Sequence, residues 1–465
     1  MNQDGSGKTG APASKTQAPT GKVRLPLLGA LRAPAFRLLW LGQTLSVLGD
    51  FVSQIGVLVI VYRVTGSGTA VGALFLVQVL PTLILAPFAG VVADRYDRRR
   101  VMIAADLVRG LAVAILVLSP SLPTVYAVSA LIAAISTFFS PARGALVPRT
   151  VPPENLLAAN SLSAMSNSVT RILGAAVGAT LVAAFGAAAA FSVNALSYFA
   201  SALCLTMLRL PRTEVGTAGV ACAPGGIQPA AKAAVATAAE AAAAPAGVSA
   251  RPGRGTGGAV REGLVLLWRN PRLAGITLLV FFNTLGLGAA NVLTAPLVQT
   301  TLGANTSSLG WLMSAEGVGT AVGVVLLGGA VRAAAAGWAV LISSAVLAAT
   351  MLGLAVCGAL WQAVGLFLLG GVGLVAFNVS AETETQRATT DAIRGRILSL
   401  IMAVLSAGSL LSLIVGGILA DLVGVRISFA VMGLLIATGC VVYAGPLARA
   451  EREKRRIAAS QATPL

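Results

Sequence analysis

The stretch GVVADRYDRRR, residues Gly90–Arg100, separates two long apolar runs, Val71–Ala89 and Val101–Leu118. Its eleven residues include four arginines and two aspartates, and a segment this polar cannot lie in hydrocarbon. We therefore interpret it as a tight hydrophilic turn between two membrane-crossing helices. Because Lys and Arg are retained on the cytoplasmic side of a membrane, we expect the turn to face the cytoplasm.

The composition of the whole chain also indicates a membrane protein. Of its 465 residues, 56% are hydrophobic and 11% are charged, and the mean hydropathy is +0.86, which excludes an ordinary soluble domain. The net charge of +17 comes from short loops and tails, so nucleic acid is not an expected partner. With no histidine and four widely spaced cysteines, the chain offers no metal, disulfide or cofactor pattern. It also lacks a phosphate-binding loop, which leaves an ion gradient as the expected energy source.

Twelve apolar runs of about 20 residues are long enough to cross a bilayer. We predict an all-α membrane protein with twelve transmembrane helices in two pseudo-symmetric six-helix halves. The predicted spans are Phe36–Tyr62, Thr69–Ala89, Val101–Leu118, Thr124–Leu146, Leu157–Phe185, Ala188–Leu208, Leu273–Gln299, Ser308–Ala330, Gly337–Cys357, Trp361–Val379, Ile397–Ala420 and Ile427–Leu447.

The spans and the segments between them divide the chain into six parts. These are a disordered N-terminal tail (1–35), an N-terminal half (36–208), a flexible linker (209–258), an amphipathic surface helix (259–272), a C-terminal half (273–447) and a basic tail (448–465). With the N-terminus in the cytoplasm, the short cytoplasmic loops hold ten arginines and the external loops hold two. This bias predicts that both termini are cytoplasmic.

The two halves are related by a single offset of 238 residues. The offset carries Arg149 onto Arg387 and Phe191 onto Phe429, and matches of these residue types are less expected by chance than matches among the 52 glycines. Six helices repeated in parallel, with a central site between the repeats, are an arrangement found in secondary transporters.

The Gly90–Arg100 loop resembles the loop between helices 2 and 3 of the major facilitator superfamily, whose pattern runs roughly G-x-L-A-D-R-x-G-R-R/K. Val92 replaces the usual leucine, and Asp97 stands where the family usually has glycine. The residues in register are Gly90, Ala93, Asp94, Arg95, Arg98 and Arg99.

The resemblance extends over about residues 36–447 and is greatest to the exporter branch, which includes enterobactin exporters and macrolide efflux proteins. It implies a major facilitator fold and, through efflux, a role in multidrug resistance. Antiporters often carry G-P-x-x-G-G in helix 5, whereas this chain has GAAVGA at Gly174–Ala179. The stretches that carry the resemblance are Leu38–Asp50, Asp106–Gly110, Phe138–Pro148, Glu154–Leu162, Phe191–Ala202 and Ile393–Leu400.

Ionisable residues deep within a span are candidates for function because they are costly to place there. Asp50 lies near the middle of helix 1, with Gln43 and Gln54 at helical spacings on or beside its face. In the fold that the resemblance implies, helix 1 lines the cavity. Asp50 could therefore exchange a proton for cargo, and the alternative is a structural hydrogen bond in helix packing.

Two further candidates lie in helices 5 and 8. Arg171 is in mid-span on a polar stripe with Asn167, and a buried guanidinium needs a partner, for which we predict Asp50. The alternatives for Arg171 are backbone carbonyls or a water-lined position. Glu316 lies about a third of the way into helix 8, and its functional and structural interpretations are both open.

The resemblance implies a cytoplasmic gate formed by charges of the helix 2–3 loop. Asp106 and Arg109 are three residues apart on helix 3 and close enough to pair, and we assign them to this network. We expect Glu382 and Glu384 to lie on a solvated loop face, with gate contacts as the alternative. The predicted gate residues are Gly90, Asp94, Arg95, Arg98, Arg99, Asp106 and Arg109.

These features predict a secondary active transporter of the bacterial cytoplasmic membrane, expected to be a monomer, that exports small organic molecules by alternating access. A drug, an antibiotic, a siderophore or a secondary metabolite would suit its apolar walls, and proton antiport is the expected coupling, with Na⁺ left open. The alternatives on the same fold are an uptake carrier and a lysophospholipid flippase. A membrane enzyme or receptor is disfavoured, because no cluster of catalytic groups is found.

Overall fold

The computed structural model describes residues 27–209, 267, 270–327, 336–389 and 391–461, and every regular element in these ranges is helical. Twelve of the helices are long and apolar enough to cross a membrane, which confirms the predicted fold. Their bounds are α1 Pro34–Thr65, α2 Gly68–Arg95, α3 Arg98–Leu118, α4 Leu122–Leu146, α5 Leu156–Phe185, α6 Ala187–Met207, α7 Pro271–Pro296, α8 Ser307–Leu327, α9 Ala336–Val356, α10 Leu360–Ala388, α11 Asp391–Val423 and α12 Val425–Gln461.

The helical structure extends into both predicted tails. Leu27–Arg32 forms a short 3₁₀ helix inside the segment predicted to be disordered, and Ala30 is fully buried there. At the other end, α12 continues to Gln461, because its alternating acidic and basic residues favour a helix beyond the apolar span. Nearly all of the predicted linker, and most of the predicted surface helix, lies outside the described residues.

Short polar turns end one helix and start the next. Gly66 ends α1 with φ 61°, a left-handed conformation that glycine adopts without strain. The Ser67 hydroxyl then caps α2 by accepting a hydrogen bond from the backbone N–H of Ala70 at 3.2 Å. Asp97, which departs from the superfamily pattern, caps α3 in the same way through the backbone N–H of Arg100 at 2.9 Å.

The first six helices and the last six pack in the same pattern. In the N-terminal half α1 packs on α5 and α6, α3 on α4 and α6, and α2 on α4, and the helices six places later repeat each of these pairs. The offset of 238 also carries α3, Arg98–Leu118, onto α9, Ala336–Val356, at both ends. The described helices thus support the internal repeat found in the sequence.

Consecutive helices run in opposite directions. Odd-numbered helices therefore begin, and even-numbered helices end, at the end of the bundle where α1 starts. We call this the terminal end and the opposite one the distal end.

The halves meet along two seams, α2 against α11 and α5 against α8. Near the distal end, glycine allows the backbones of α2 and α11 to approach closely. A Cβ added to Gly72 of α2 would lie 2.5 Å from the carbonyl oxygen of Leu413 in α11.

In the part of the chain that the structure describes, the buried apolar core is continuous between the halves at the distal end and not at the terminal end. One cluster of buried side chains there includes Tyr62 of the N-terminal half and Leu293 of the C-terminal half. At the terminal end, the described residues form two separate clusters, one around Met102 and the other around Leu447. Among the described residues, the buried apolar core therefore joins the halves at the distal end and is divided between them at the terminal end.

Candidate functional site

Asp50 lies halfway along α1 and turns toward α6 within the N-terminal half. Its Oδ1 accepts a hydrogen bond from the Tyr198 hydroxyl, and Asn194 lies beside it. The Asp50 side chain is half-buried, whereas Tyr198 is fully buried. The helix approaches α6 closely here because Gly49 has no side chain, and an added Cβ would lie 2.6 Å from the Asn194 amide oxygen.

A second carboxylate and a guanidinium complete this part of the interior. Asp106 is fully buried and accepts hydrogen bonds from Arg109 and from the Ser201 hydroxyl, the latter at 2.7 Å. The Arg109 guanidinium stacks over the rings of Phe139 and Tyr198, with centroids at 4.3 and 4.7 Å. Asp106 and Arg109 are therefore paired, as their spacing predicted. We call Asp50, Asp106, Arg109 and Tyr198 the N-half cluster.

The position of this pair corrects its assignment to the gate. Asp106 and Arg109 are 0% and 5% exposed as side chains, and their described partners belong to α4, α6 and each other. They lie inside the N-terminal half and not between the halves. The reason is that Ser136 of α4, 3.3 Å from Arg109, and Ser201 of α6 supply the polar contacts that a buried ion pair needs.

Two carboxylates of the N-half cluster lie near one guanidinium, and Arg109 pairs directly with Asp106. If both acids were ionised, the buried group would carry a net charge of −1, which is costly at this depth. A single bound proton would neutralise it. Arg109 is also within electrostatic range of Asp50, so the two acids are linked through one cation. The arrangement is chemically suited to taking up and releasing one proton.

The polar residues predicted beside Asp50 and Arg171 fall at two different places. Gln43 is buried, and its Nε2 lies 3.4 Å from the Ser201 hydroxyl, so it extends the N-half cluster toward the terminal end. Asn167 lines a narrow cleft together with Gln43. The Gln54 Nε2 is buried without a hydrogen-bond partner among the described residues.

Arg171 does not pair with Asp50, and that prediction is wrong. Its Nη2 lies 2.6 Å from the Glu316 Oε1, with the two side chains 12% and 20% exposed. The pair joins α5 to α8 and therefore crosses between the halves. One or two residues further toward the distal end, the Ser314 hydroxyl donates to the backbone carbonyl of Ile172 at 2.9 Å. Arg171 and Asp50 are on opposite sides of the α1–α5 contact, which sequence spacing does not reveal.

The Gly90–Arg100 stretch is mostly helical. α2 continues through Gly90 and Asp94 to Arg95, so the turn is limited to Tyr96 and Asp97. Arg99 donates to the backbone carbonyls of Leu205 and Thr206 at 2.7 and 2.5 Å, which caps the end of α6 inside the same half.

The remaining gate residues have no described contact across the halves. Arg95 is exposed and Arg98 is half-buried, while the side chain of Asp94 and the burial of Gly90 lie outside the described part. Their role in a gate stays a prediction.

Two polar sites of the structure were not predicted. Glu384 is 1% exposed, bonded to Arg272 at 2.6 Å and to the Tyr443 hydroxyl at 3.3 Å, so the expectation of a solvated face was wrong for Glu384, whereas Glu382 is exposed. α10 continues past this point and buries it between α7 and α12. Asp421, at the end of α11, bonds the start of α2. Neither partnership could be read from sequence spacing, because each joins distant segments.

Within the residues that the structure describes, no three His, Cys, Asp or Glu side chains come together as metal ligands do. The polar chemistry of the interior is therefore that of carboxylates, guanidinium groups and hydroxyls.

Comparison with known proteins assigns the family. Residues 27–218 match the family model described as "Transmembrane secretion effector", and residues 276–465 match the model of the Major Facilitator Superfamily. An uncharacterized MFS-type transporter of Bacillus subtilis, YfiS, is 27% identical over 417 residues, which is 87% of this chain and 91% of that protein. Macrolide efflux protein A of Streptococcus pyogenes is 29% identical over 182 residues, covering 38% of this chain and 45% of that protein.

A solved structure agrees with the fold. A bacterial homologue of the iron transporter ferroportin superposes with a TM-score of 0.64 at 16% identity, covering 89% of this chain and 98% of that chain. Twelve membrane-spanning helices, the internal repeat and these matches lead to one conclusion: the chain belongs to the major facilitator superfamily and is a multi-pass membrane transporter, not an enzyme.

Proposed function

We propose that this transporter exports small organic molecules from the bacterial cytoplasm by alternating access, in exchange for protons. The observation that carries the proposal is the N-half cluster, in which Arg109 is paired with Asp106 while the half-buried Asp50 is bonded to the Tyr198 hydroxyl. A group of this kind is costly within a membrane protein unless it binds a proton or a partner.

The proposed direction of transport follows from the predicted orientation of the chain in the membrane. The arginine bias of the loops puts the terminal end in the cytoplasm. Because the described apolar core joins the halves at the distal end and not at the terminal end, the described conformation is consistent with one open to the cytoplasm and closed to the outside. This is the state in which an exporter binds its cargo.

The proposed proton site is Asp50, with Asp106 as its buried neighbour. Arg109 can balance only one of the two acids, so a proton on Asp50 leaves the Asp106–Arg109 pair intact. Loss of that proton creates an unbalanced charge, which favours rearrangement of the surrounding helices or entry of a cation.

The proposed cargo is a hydrophobic or amphipathic compound. The bundle is mostly apolar, and one relative carries the name of a macrolide efflux protein. A drug, an antibiotic, a siderophore or a secondary metabolite of this character is the expected class, with multidrug resistance as the expected phenotype.

The proposal is tested by accumulation of labelled compounds in cells expressing wild type, Asp50→Asn or Glu154→Gln. The panel contains macrolides, lipophilic cations, a siderophore and a lysophospholipid, each measured with and without a protonophore or a sodium ionophore. Glu154 is an exposed acid outside the bundle interior and serves as the matched control. Membrane levels of the three proteins are equalised by quantitative immunoblotting.

We expect wild type and Glu154→Gln to lower accumulation of at least one organic compound, and Asp50→Asn or the protonophore to abolish this effect. Export that survives in Asp50→Asn would place the proton site elsewhere. Export that stops with the sodium ionophore alone would replace H⁺ by Na⁺. A response confined to the lysophospholipid, or increased accumulation in wild type, would overturn export of small molecules in favour of a flippase or an uptake carrier.

A further inference from the structure

A carboxylate from one half caps a helix of the other half at the distal end. Asp421 lies in the last turn of α11, and its Oδ1 accepts a hydrogen bond from the backbone N–H of Gly68 at 2.6 Å. Its Oδ2 accepts hydrogen bonds from the Ser67 hydroxyl at 2.6 Å and from the backbone N–H of Thr69 at 3.0 Å. Three donors at the start of α2 therefore converge on one side chain of α11.

The start of α2 needs such an acceptor. The first backbone N–H groups of a helix have no acceptor within the helix, and this end carries the positive pole of the helix dipole. Ser67 satisfies the N–H of Ala70 only. The carboxylate of Asp421 satisfies the two preceding N–H groups with charge-assisted hydrogen bonds, which are the stronger kind.

The contact is possible only while the α2–α11 seam is closed. Gly417, one turn before Asp421, packs directly on the start of α2, where an added Cβ would lie 2.8 Å from the Gly68 carbonyl oxygen and the Thr69 Cα. The helix backbones are therefore nearly in contact beneath the carboxylate. Any separation of the halves at the distal end would remove all three hydrogen bonds together.

The hydrogen bonds between Asp421 and α2 can also break without a large cost in free energy. Asp421 is exposed, and it borders a distal cavity of about 750 Å³. Tyr62, Thr300 and Arg426 line the same cavity. Water can therefore replace the lost hydrogen bonds when the helices part, and no charge is left buried and unpaired.

We propose that Asp421 is a positioning residue of the transport cycle, which holds the distal end closed by capping α2 and must release α2 before that end opens. This inference rests on alternating access and is independent of cargo and coupling ion. The N-half cluster has no part in it.

The test measures opening directly in the full-length protein in lipid nanodiscs. Spin labels are placed at Leu118→Cys and Val356→Cys, in a background without the native cysteines, and their separation is measured by double electron–electron resonance. These two residues are exposed, lie at the distal ends of α3 and α9, and are related by the 238-residue offset. A second label pair at Leu118 and Phe185 reports on the N-terminal half alone.

Asp421→Asn and Asp421→Ala are compared with wild type and with Asp97→Asn. Asp97 also caps a helix through its carboxylate, but its bond to Arg100 lies within one half. We expect both Asp421 variants to raise the ratio of the long to the short 118–356 distance by about tenfold or more, because charge-assisted hydrogen bonds between the halves are lost. Asp97→Asn should leave that ratio at the wild-type value.

An unchanged 118–356 distance in Asp421→Asn, which preserves the shape of the side chain, would overturn the proposal. A change in the 118–185 distance would also overturn it, because the effect would then arise within one half. Absence of export by wild type, together with the expected shift of the 118–356 distance in the Asp421 variants, would count against the proposed cargo or coupling and leave the role of Asp421 standing.

Discussion

Removing either charge of the Arg171–Glu316 ion pair should strongly raise the ratio of conformers with an open distal end to those with a closed one. The pair has an N–O distance of 2.6 Å and side chains that are 12% and 20% exposed. In Arg171→Ala, the Glu316 carboxylate would keep little water and have no cation. Because the pair joins α5 to α8, its loss should weaken the closed distal end more than it weakens either half.

The magnitude follows from the geometry. Two unit charges about 4 Å apart attract by about 4 kcal/mol at an effective dielectric constant of about 20. Exposed pairs contribute about 0.2–1 kcal/mol, and breaking a fully buried pair costs about 3–5 kcal/mol. Since these side chains are mostly but not fully buried, we expect a cost of about 2 kcal/mol, which is a change of about thirtyfold in the ratio of open to closed conformers.

The assay is a double-mutant cycle read with the 118–356 label pair. Arg171→Ala, Glu316→Ala, the double variant and wild type are compared in nanodiscs, and the exchanged pair Arg171→Glu with Glu316→Arg is added. Each single variant should favour the open distal end, whereas the double variant should be closer to wild type than the sum of the singles. If the two single effects add to within about 0.5 kcal/mol in the double variant, the charges are not coupled and the reasoning is wrong.

Two further predictions concern burial and steric contact. Glu384→Gln should lower the free energy of unfolding by about 2–3 kcal/mol, because it breaks the buried pair with Arg272, while Glu382→Gln, at an exposed position, should leave the thermal melting of the purified protein unchanged. Gly417→Ala, which clashes across the halves, should favour the open distal end in the 118–356 distance, whereas Gly178→Ala, which clashes with α1 inside one half, should lower the melting temperature instead.

Each of these two predictions has an outcome that would contradict it. Equal melting temperatures of Glu384→Gln and Glu382→Gln would show that the buried pair adds nothing to stability. If Gly417→Ala melts early with an unchanged label distance, the α2–α11 seam is a fixed part of the core and not a moving contact.

The fold was predictable because apolar length is a direct physical requirement for crossing a bilayer. All twelve predicted spans overlap the described helices, and Leu157–Phe185 differs from α5 by a single residue. The pairing of Asp106 with Arg109 was predictable as well, since residues three apart share a helix face. Both inferences use only local geometry.

The arrangement of the site could not be predicted in the same way. α1 and α2 are nearly equally apolar on all sides, because lipid and protein interior favour the same side chains. Hydrophobic periodicity therefore does not tell which side of α1 Asp50 faces. Without that rotation, Arg171 was assigned to Asp50, and its contact with Glu316, 145 residues away, was missed.

The internal repeat provides a comparison for the N-half cluster within the same chain. The positions 238 residues after Asp50, Asp106, Arg109 and Tyr198 hold Gly288, Ser344, Leu347 and Ile436. Leu347 and Ile436 are fully buried in apolar clusters, and the helices around them pack in the same pairs as in the N-terminal half. Six helices can therefore pack in these pairs with apolar side chains where the N-terminal half has Arg109 and Tyr198, and the buried Glu384–Arg272 pair of the C-terminal half lies elsewhere. Since desolvation makes a buried ionic cluster no more stabilising than an apolar core, packing does not require the N-half cluster, and its presence in one half argues for a role in transport.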